Sequence, residues 1–225
     1  MKFFPHNEPI PSTELLILSQ LNSRKELRGH EKQKYTYLKK GYEGQVEFNQ
    51  LLQTNLSINH IRLNDLLLKQ NNTEFQLDLT LLLPNKIYLF EVKNLVGDYI
   101  VKGDDWMSIS GTEISNPVLQ LTRSKSLFRR LLQTIGSKIT LEAYVVFVNP
   151  EFTLYNASPT LPIILPTQLN RLLTTLNKNA PLLNPSHTNI ATKLVERHLP
   201  KSSNEKLPEY NYDELKKGIV CPKCG

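Results

Sequence analysis

Residues 75–83 alternate between apolar and polar side chains with the period of two that is typical of a β-strand. The apolar positions, which this pattern places on one side, are Phe75, Leu77, Leu79 and Leu81. A second run, residues 87–93, is rich in β-branched and aromatic side chains, and the Pro84-Asn85 pair between the two runs suits a turn. The pattern therefore predicts a β-hairpin.

The turn of this hairpin decides which residues face each other. If the two turn residues form the whole loop, the numbers of facing residues have a constant sum, which puts Asp78 opposite Glu91. By the same sum, Gln76 lies opposite Lys93. Pro84 cannot adopt the positive φ of the favoured two-residue turns, so the pattern also predicts a longer turn or a bulge that would shift these pairs.

Two facing carboxylates repel each other, and a divalent cation would remove that cost. Oxygens of Asp78 and Glu91 suit Mg²⁺ or Mn²⁺, and Lys93, two residues along the same strand, can assist an attacking water or steady charge at phosphorus. The alternative is an ordinary charge pair on a strand beside a solvated aspartate, because E-x-K spacing alone arises often by chance.

The rest of the chain reads as a succession of helices and strands. Five helices are predicted, over residues 13–29, 40–53, 118–134, 167–178 and 188–198. Further strands are predicted over residues 58–68, 139–148 and 161–165, with shorter pieces between 97 and 111. Residues 139–148 are too apolar for the edge of a sheet, and Asn116-Pro117 is a strong helix start. We therefore expect an α/β fold with a mixed central β-sheet flanked by helices.

The chain of 225 residues is long enough for one well-filled domain and a small appendage. Hydrophobic residues make up 40%, enough for a packed core, while a mean hydropathy of −0.33 indicates a polar surface. No apolar run is long enough to cross a bilayer, and the N-terminus lacks the apolar region of a signal peptide. We therefore expect a cytoplasmic protein with no membrane partner.

The formal net charge of +6 and the isoelectric point near 9.2 are compatible with a polyanionic partner but do not require one. Basic residues concentrate between 24 and 40, with Tyr35 and Tyr37 among them, and such a stretch can follow a phosphate backbone and stack bases. A solvated helix face explains it equally well. The candidate contacts for nucleic acid are Lys32, Lys34, Lys39, Lys40 and Arg123.

Both cysteines, Cys221 and Cys224, lie at the C-terminal end in the motif C-P-x-C-G. This motif is half a zinc ribbon, and two thiolates cannot complete a tetrahedral zinc site. A second pair of ligands follows Gly225, another molecule supplies it, or the motif is vestigial. We favour the first explanation, in which zinc needs ligands outside this chain.

From residue 40 onward the predicted order is a helix with acidic residues, a strand, a strand with an Asp, a strand with E-x-K, a helix and a strand. This succession resembles the core of the PD-(D/E)xK nuclease superfamily, which implies a restriction-endonuclease-like core. The segments G-Y-E-G-Q-V-E-F, L-D-L, F-E-V-K-N, a Trp and N-P-V-L-Q resemble more closely the nuclease-related domain (NERD) family, over roughly residues 40–150. Each motif is loose alone, but five in the right order are fairly specific.

The resemblance implies a role for several residues. It makes Asp78 and Glu91 ligands of Mg²⁺ or Mn²⁺, Lys93 the catalytic lysine, and Gln120 an auxiliary site residue at the start of a helix. In some members the domain lies beside a zinc ribbon, which would suit the cysteine tail.

The chain departs from the family pattern in the first helix, where Gly44-Gln45 stands in place of the usual Gly-Glu. The first carboxylate is therefore Glu43 or Glu47, or it is missing. An amide can accept a hydrogen bond from a metal-bound water, but it adds no charge.

Two functions are consistent with these observations. The first is a metal-dependent, nuclease-like protein that hydrolyses phosphodiesters in nucleic acid during DNA processing, with DNA favoured as the substrate. The second is a catalytically inactive module that binds nucleic acid or another partner, and the oligomeric state is left open. The predicted organisation is an N-terminal helical segment (1–39), the nuclease-related core (40–150), an extension of that core (151–200) and a linker with half a zinc ribbon (201–225).

Overall fold

The computed structural model describes residues 6–178, 182–203 and 205–218, which form five α-helices and nine β-strands. The helices are α1 (Thr13–Arg24), α2 (Gly29–Asn55), α3 (Pro117–Thr134), α4 (Leu169–Leu176) and α5 (Pro185–Val195). The strands are β1 (Ile61–Gln70), β2 (Thr73–Leu82), β3 (Lys86–Lys93), β4 (Gly97–Lys102), β5 (Asp105–Ser108), β6 (Glu113–Ile114), β7 (Thr140–Phe147), β8 (Phe152–Tyr155) and β9 (Ile163–Ile164).

The strands form two mixed sheets. The larger has the order β1-β2-β3-β7-β9, in which β1, β2 and β3 are antiparallel neighbours and β7 is parallel to β3 and β9. The smaller has the order β6-β5-β4-β8. The predicted mixed sheet flanked by helices is confirmed, and β7 lies inside it as its apolar sequence predicts. The second sheet was not predicted, because its strands are short and carry little alternation.

The large sheet has a hydrophobic core on each face. On one face α3 and α5 pack against the sheet and against the small sheet, with Phe128, Phe147 and Trp106 fully buried. On the other face α2 and α4 cover the strands, with Phe48 and Leu52 fully buried. The sheet is therefore buried on both sides, as a mixed sheet between helix layers requires.

The β2–β3 hairpin has the register that a two-residue loop gives. Leu82 pairs with Ile87, and the N–H of Leu83 donates to the carbonyl of Lys86 at 2.8 Å. The expected longer turn or bulge is therefore wrong, because Pro84 and Asn85 close the loop with neither residue at a positive φ.

The prediction that residues 75, 77, 79 and 81 share one side is wrong. Phe75 and Leu77 pack in the core on the α3 face, whereas Leu79 and Leu81 pack in the core on the α2 face. The change of side coincides with Asp65 in the neighbouring strand, which has a left-handed φ of 50°. The β1–β2 ladder continues on both sides of this position but omits the pair of residues 65 and 78, and both strands turn over there.

Helix α2 contains two stretches that the sequence analysis predicted as separate elements. The first helix ends at Arg24 and not near residue 29. Gly29, which has a left-handed φ of 50°, is instead the first residue of α2. From there α2 runs unbroken to Asn55, so the basic stretch and the helix with acidic residues are one element. The predicted domain boundary after residue 39 therefore falls inside a continuous helix.

Helix α3 begins as its sequence predicts, whereas α5 begins at Pro185, three residues before the predicted start. Asn116 accepts hydrogen bonds from the N–H groups of Val118 and Leu119 at 2.9 and 3.2 Å, which caps α3. Within the described ranges, every helix is too short or too polar to span a membrane. The half zinc ribbon of Cys221 and Cys224 lies outside the described residues.

Candidate metal and catalytic site

Asp78, Glu91 and Lys93 come together where β2 and β3 separate. The ladder between these strands ends at the Leu79–Phe90 pair, and one position further Asp78 accepts the N–H of Val92 at 2.9 Å through Oδ2. Glu91 is buried, and its Oε1 accepts a hydrogen bond from Nζ of Lys93 at 2.8 Å. The hairpin thus places two carboxylates and one ammonium at the end of the ladder.

The charges of this group are coupled. Burial, and after it the Glu91 carboxylate, raise the pKa of Asp78 to about 7 against the lowering effect of Lys93 and of the Val92 N–H. Burial alone would lower the pKa of Lys93, but the carboxylates of Glu91 and Asp78 outweigh it and the net shift is upward. Lys93 is therefore a cation at neutral pH, and a second positive charge would be needed to neutralise both carboxylates.

Gln120 reaches this group from the first turn of α3. Its Oε1 accepts a hydrogen bond from Nζ of Lys93 at 3.4 Å. Its position depends on the capped start of α3 at Asn116, whose own amide donates to the carbonyl of Asp104 at 2.9 Å. This contact places Gln120, which the sequence puts at the start of a helix, beside Lys93.

A cavity of about 430 Å³ opens above these side chains. One wall is a face of α2, formed by Tyr37, Leu38, Gly41, Tyr42 and Gln45. The cavity is also lined by Ile10, Ser12 and Leu15 from the N-terminal segment and α1.

The two glutamates predicted as metal ligands on α2 do not line this cavity. Two residues along an α-helix correspond to a rotation of about 200°, so Glu43 and Glu47 point away from the direction of Gln45. Both are exposed, and Glu43 pairs with Lys39 at 3.8 Å. The structure therefore brings an amide to the cavity where the family pattern has a carboxylate.

Asp65 is a cavity residue to which the sequence alone assigned no role. Its carboxylate accepts the N–H of Ile10 at 2.8 Å and the amide of Gln76 at 3.4 Å, and its charge contributes to the raised pKa of Asp78. Burial raises the pKa of Asp65 itself to about 6, against the lowering effect of these two hydrogen bonds. The sequence does contain a signal, because Asn64-Asp65 interrupts an apolar strand with two residues that tolerate a positive φ.

The candidate nucleic-acid contacts lie on two helices. Lys32, Lys34, Lys39 and Lys40 are all on α2, of which Lys40 lines the cavity. Arg123 is exposed on α3, one helical turn beyond Gln120.

The residues at the cavity fit a hard divalent cation that keeps most of its own water. Among the residues that the structure describes, no three His, Cys, Asp or Glu side chains are placed to hold one metal ion. Mg²⁺ is commonly bound through one or two carboxylates with waters and substrate oxygens completing its shell. Asp78 and Glu91 supply that minimal set, and each hydrogen bond described for them uses only one carboxylate oxygen.

An α/β core that holds an Asp strand beside a Glu-x-Lys strand at one open cavity is compatible with a nuclease-like core. Residues 40–148 match the family model of the nuclease-related domain, NERD. The match confirms the similarity to the NERD family that the motifs predicted, and the matched segment contains Asp78, Glu91, Lys93 and Gln120. Comparison with curated proteins and with solved structures gave no match.

Proposed function

We propose that the protein is a metal-dependent nuclease that hydrolyses phosphodiester bonds, with DNA as the favoured substrate. The observation that carries this proposal is the placement of Lys93 beside Glu91 and Asp78 at the floor of an open cavity within the nuclease-related domain. The net positive charge of the chain favours a polyanionic substrate.

Asp78 and Glu91 would hold Mg²⁺ or Mn²⁺ between them. Such an ion, when bound, supplies positive charge to the phosphoryl oxygens and activates water. Burial is the main cause of the raised pKa of Asp78, and repulsion by the Glu91 carboxylate adds to it, so ionising both carboxylates has a cost. A cation bound between the two carboxylates would remove this repulsion.

Lys93 acts in this proposal as a hydrogen-bond donor and not as a base. Its pKa is shifted upward, so its Nζ stays protonated at neutral pH. Nζ already donates to Glu91 and to Gln120, which fixes its direction toward the cavity. A third N–H is left to donate to the attacking water or to an oxygen that gains charge at phosphorus.

The test is cleavage of plasmid and oligonucleotide DNA with Mn²⁺ by the wild type and by Lys93→Ala. We expect the variant to lose at least about a hundredfold in rate, the order of one preorganised donor to a developing charge. Lys86→Ala is the matched control, because Lys86 lies on the same strand and pairs with Glu142 away from the cavity. Equal cleavage by the wild type and Lys93→Ala would remove this site from the mechanism.

A specific observation favours the second function, a module that binds nucleic acid without cutting it. Gln45 lines the cavity where a third carboxylate would strengthen cation binding. Calorimetric titration with Mn²⁺ separates the two functions. Binding that is lost in Asp78→Ala supports the enzyme, whereas no heat of binding in the wild type supports the inactive module.

A further inference from the structure

A groove of about 560 Å³ follows one face of the first half of α2. It is lined by Gly29, Lys32, Gln33, Thr36, Tyr37 and Lys40, and we call it the α2 groove. These positions follow the spacing of three and four residues that puts side chains on a single helix face. Lys32 and Lys40 are therefore about 12 Å apart along the axis of the helix.

The α2 groove leads directly to the cavity of Asp78 and Glu91. Tyr37 and Lys40 line both spaces, so they form the shared edge. Tyr37 is also close enough to Lys93 to contribute to the electrostatic environment of its ammonium group. The part of the groove before Lys40 lies outside the matched family segment.

The lysines of α2 differ in whether their charge is already neutralised. Lys34 pairs with Glu14 at 3.4 Å, and Lys39 pairs with Glu43 at 3.8 Å. Lys32 and Lys40 are exposed and have no ion pair with any described residue. These two lysines without an ion pair are the two that line the α2 groove, and Lys32 also has a weak electrostatic interaction with Glu26.

The two tyrosines of the same stretch also differ. Tyr35 packs against the small core formed by Leu18, Leu21 and Leu27 between α1 and α2. Tyr37 is 66% exposed, so most of its side chain is available to a ligand.

We propose that the α2 groove binds single-stranded nucleic acid, with a base stacked on Tyr37 and the backbone held by Lys32 and Lys40, and that it leads this strand into the catalytic cavity. The proposal rests on the proposed function and names the form of its substrate. Stacking needs the open face of a base, which a paired and stacked duplex offers only at its ends. Free ammonium groups spaced along the same face supply the charge complementarity for a phosphate backbone.

The test is binding of a fluorescently labelled single-stranded oligonucleotide, measured by anisotropy with the divalent cations chelated. Loss of one stacked base costs about 1–3 kcal/mol, so we expect Tyr37→Ala to weaken binding about 5- to 150-fold. Tyr37→Phe keeps the ring and should bind nearly as the wild type does. Lys32→Ala should weaken binding and reduce the slope of log K against log salt by about 0.7, the value for one phosphate contact in a single strand.

Lys86→Ala is the control for Lys32→Ala, because it removes one positive charge from a lysine that is paired with Glu142 and does not line the α2 groove. We expect it to leave the affinity and the salt slope unchanged. The proposal is overturned if Tyr37→Ala binds the single strand as tightly as the wild type, if Lys86→Ala weakens binding as much as Lys32→Ala, or if the wild type binds only duplex.

Failure of this proposal and failure of the proposed function give different results. If the protein binds single strands through Tyr37 but does not cleave them with Mn²⁺, the groove proposal holds and the nuclease proposal fails. If cleavage depends on Lys93 but binding does not depend on Tyr37, the nuclease proposal holds and the groove proposal fails.

Discussion

Gly44 of α2 lies so close to Asn94 that a Cβ added to the glycine would be 2.6 Å from Cβ of Asn94. Asn94 directly follows Lys93, and its amide donates to the carbonyl of Lys40 at 3.0 Å. Its Oδ1 accepts a hydrogen bond from the amide of Asn149 at 2.9 Å. The close approach therefore sets the distance between the α2 wall and the strand that carries Lys93.

Gly44→Ala should destabilise the protein by about 1–3 kcal/mol, the usual cost of forcing extra volume into a packed site. Denaturation by urea measures this change in the free energy of unfolding. Gly41→Ala is the matched control, because no atom lies within 4 Å of the Cβ that would be added there. It should be neutral or stabilise α2 by up to about 1 kcal/mol. Equal effects of both substitutions would contradict the close packing of α2 on β3.

Gln45→Glu should strengthen Mn²⁺ binding, because it brings a third carboxylate to the cavity. We expect a gain of about tenfold in affinity by calorimetry, and a loss of stability without metal since a third negative charge then lies near Asp78 and Glu91. Glu47→Gln removes a carboxylate two residues away on the exposed side of α2 and should leave Mn²⁺ binding unchanged. A larger effect of Glu47→Gln would instead make that residue the ligand.

The stability of the metal-free protein should fall as the pH rises from about 4 to about 7. Burial is the main cause that raises the pKa of Asp65 to about 6 and of Asp78 to about 7, whereas an aspartate in an unfolded chain has a pKa near 3.9. In this window the folded protein retains protons that the unfolded chain releases, so the slope of the unfolding free energy with pH is negative.

Histidines such as His6 have lowered pKa values through burial and contribute a slope of the opposite sign. The difference between the wild type and Asp78→Asn therefore isolates the carboxylate. That difference should grow in favour of the variant as the pH approaches 7. A constant difference across the window would show that Asp78 is not perturbed in the folded protein.

Asp65→Ala should loosen the N-terminal segment over the cavity. The substitution removes the acceptor of the Ile10 N–H and leaves alanine at a left-handed φ of 50°, a conformation that costs about 1–2 kcal/mol. Hydrogen exchange of the Ile10 amide should become faster, and the free energy of unfolding should fall. Asp65→Asn should have the smaller effect, because asparagine tolerates this backbone and retains an acceptor. Unchanged exchange of the Ile10 amide in Asp65→Ala would show that this contact does not hold the segment.

The hairpin and the facing positions of its carboxylates could be predicted because both depend on local sequence. Alternation and a two-residue turn are enough to bring Asp78 and Glu91 together, and their register agrees with the structure. Capping by Asn116 is likewise local, and it places Gln120 within reach of Lys93.

The features that escaped prediction depend on contacts between distant segments. Strands β1 and β2 change side at Asp65, which has a left-handed φ. The Asp65 carboxylate accepts a hydrogen bond from the N–H of Ile10, which lies 55 residues earlier in the sequence. Whether a lysine of α2 is ion-paired depends on whether it lies close to Glu14 or Glu43. Periodicity does not contain that information, since every one of these lysines fits an amphipathic helix.

The unbroken course of α2 determines where a folded fragment of this protein can begin. The segment shared with the family starts at Lys40, in the middle of a helix that runs from Gly29 to Asn55. A fragment cut to the family limits would sever that helix and discard Tyr37 and Leu38, which wall the cavity. The matched segment and the folded helix therefore have different ends, and part of the cavity wall comes from residues that precede the match.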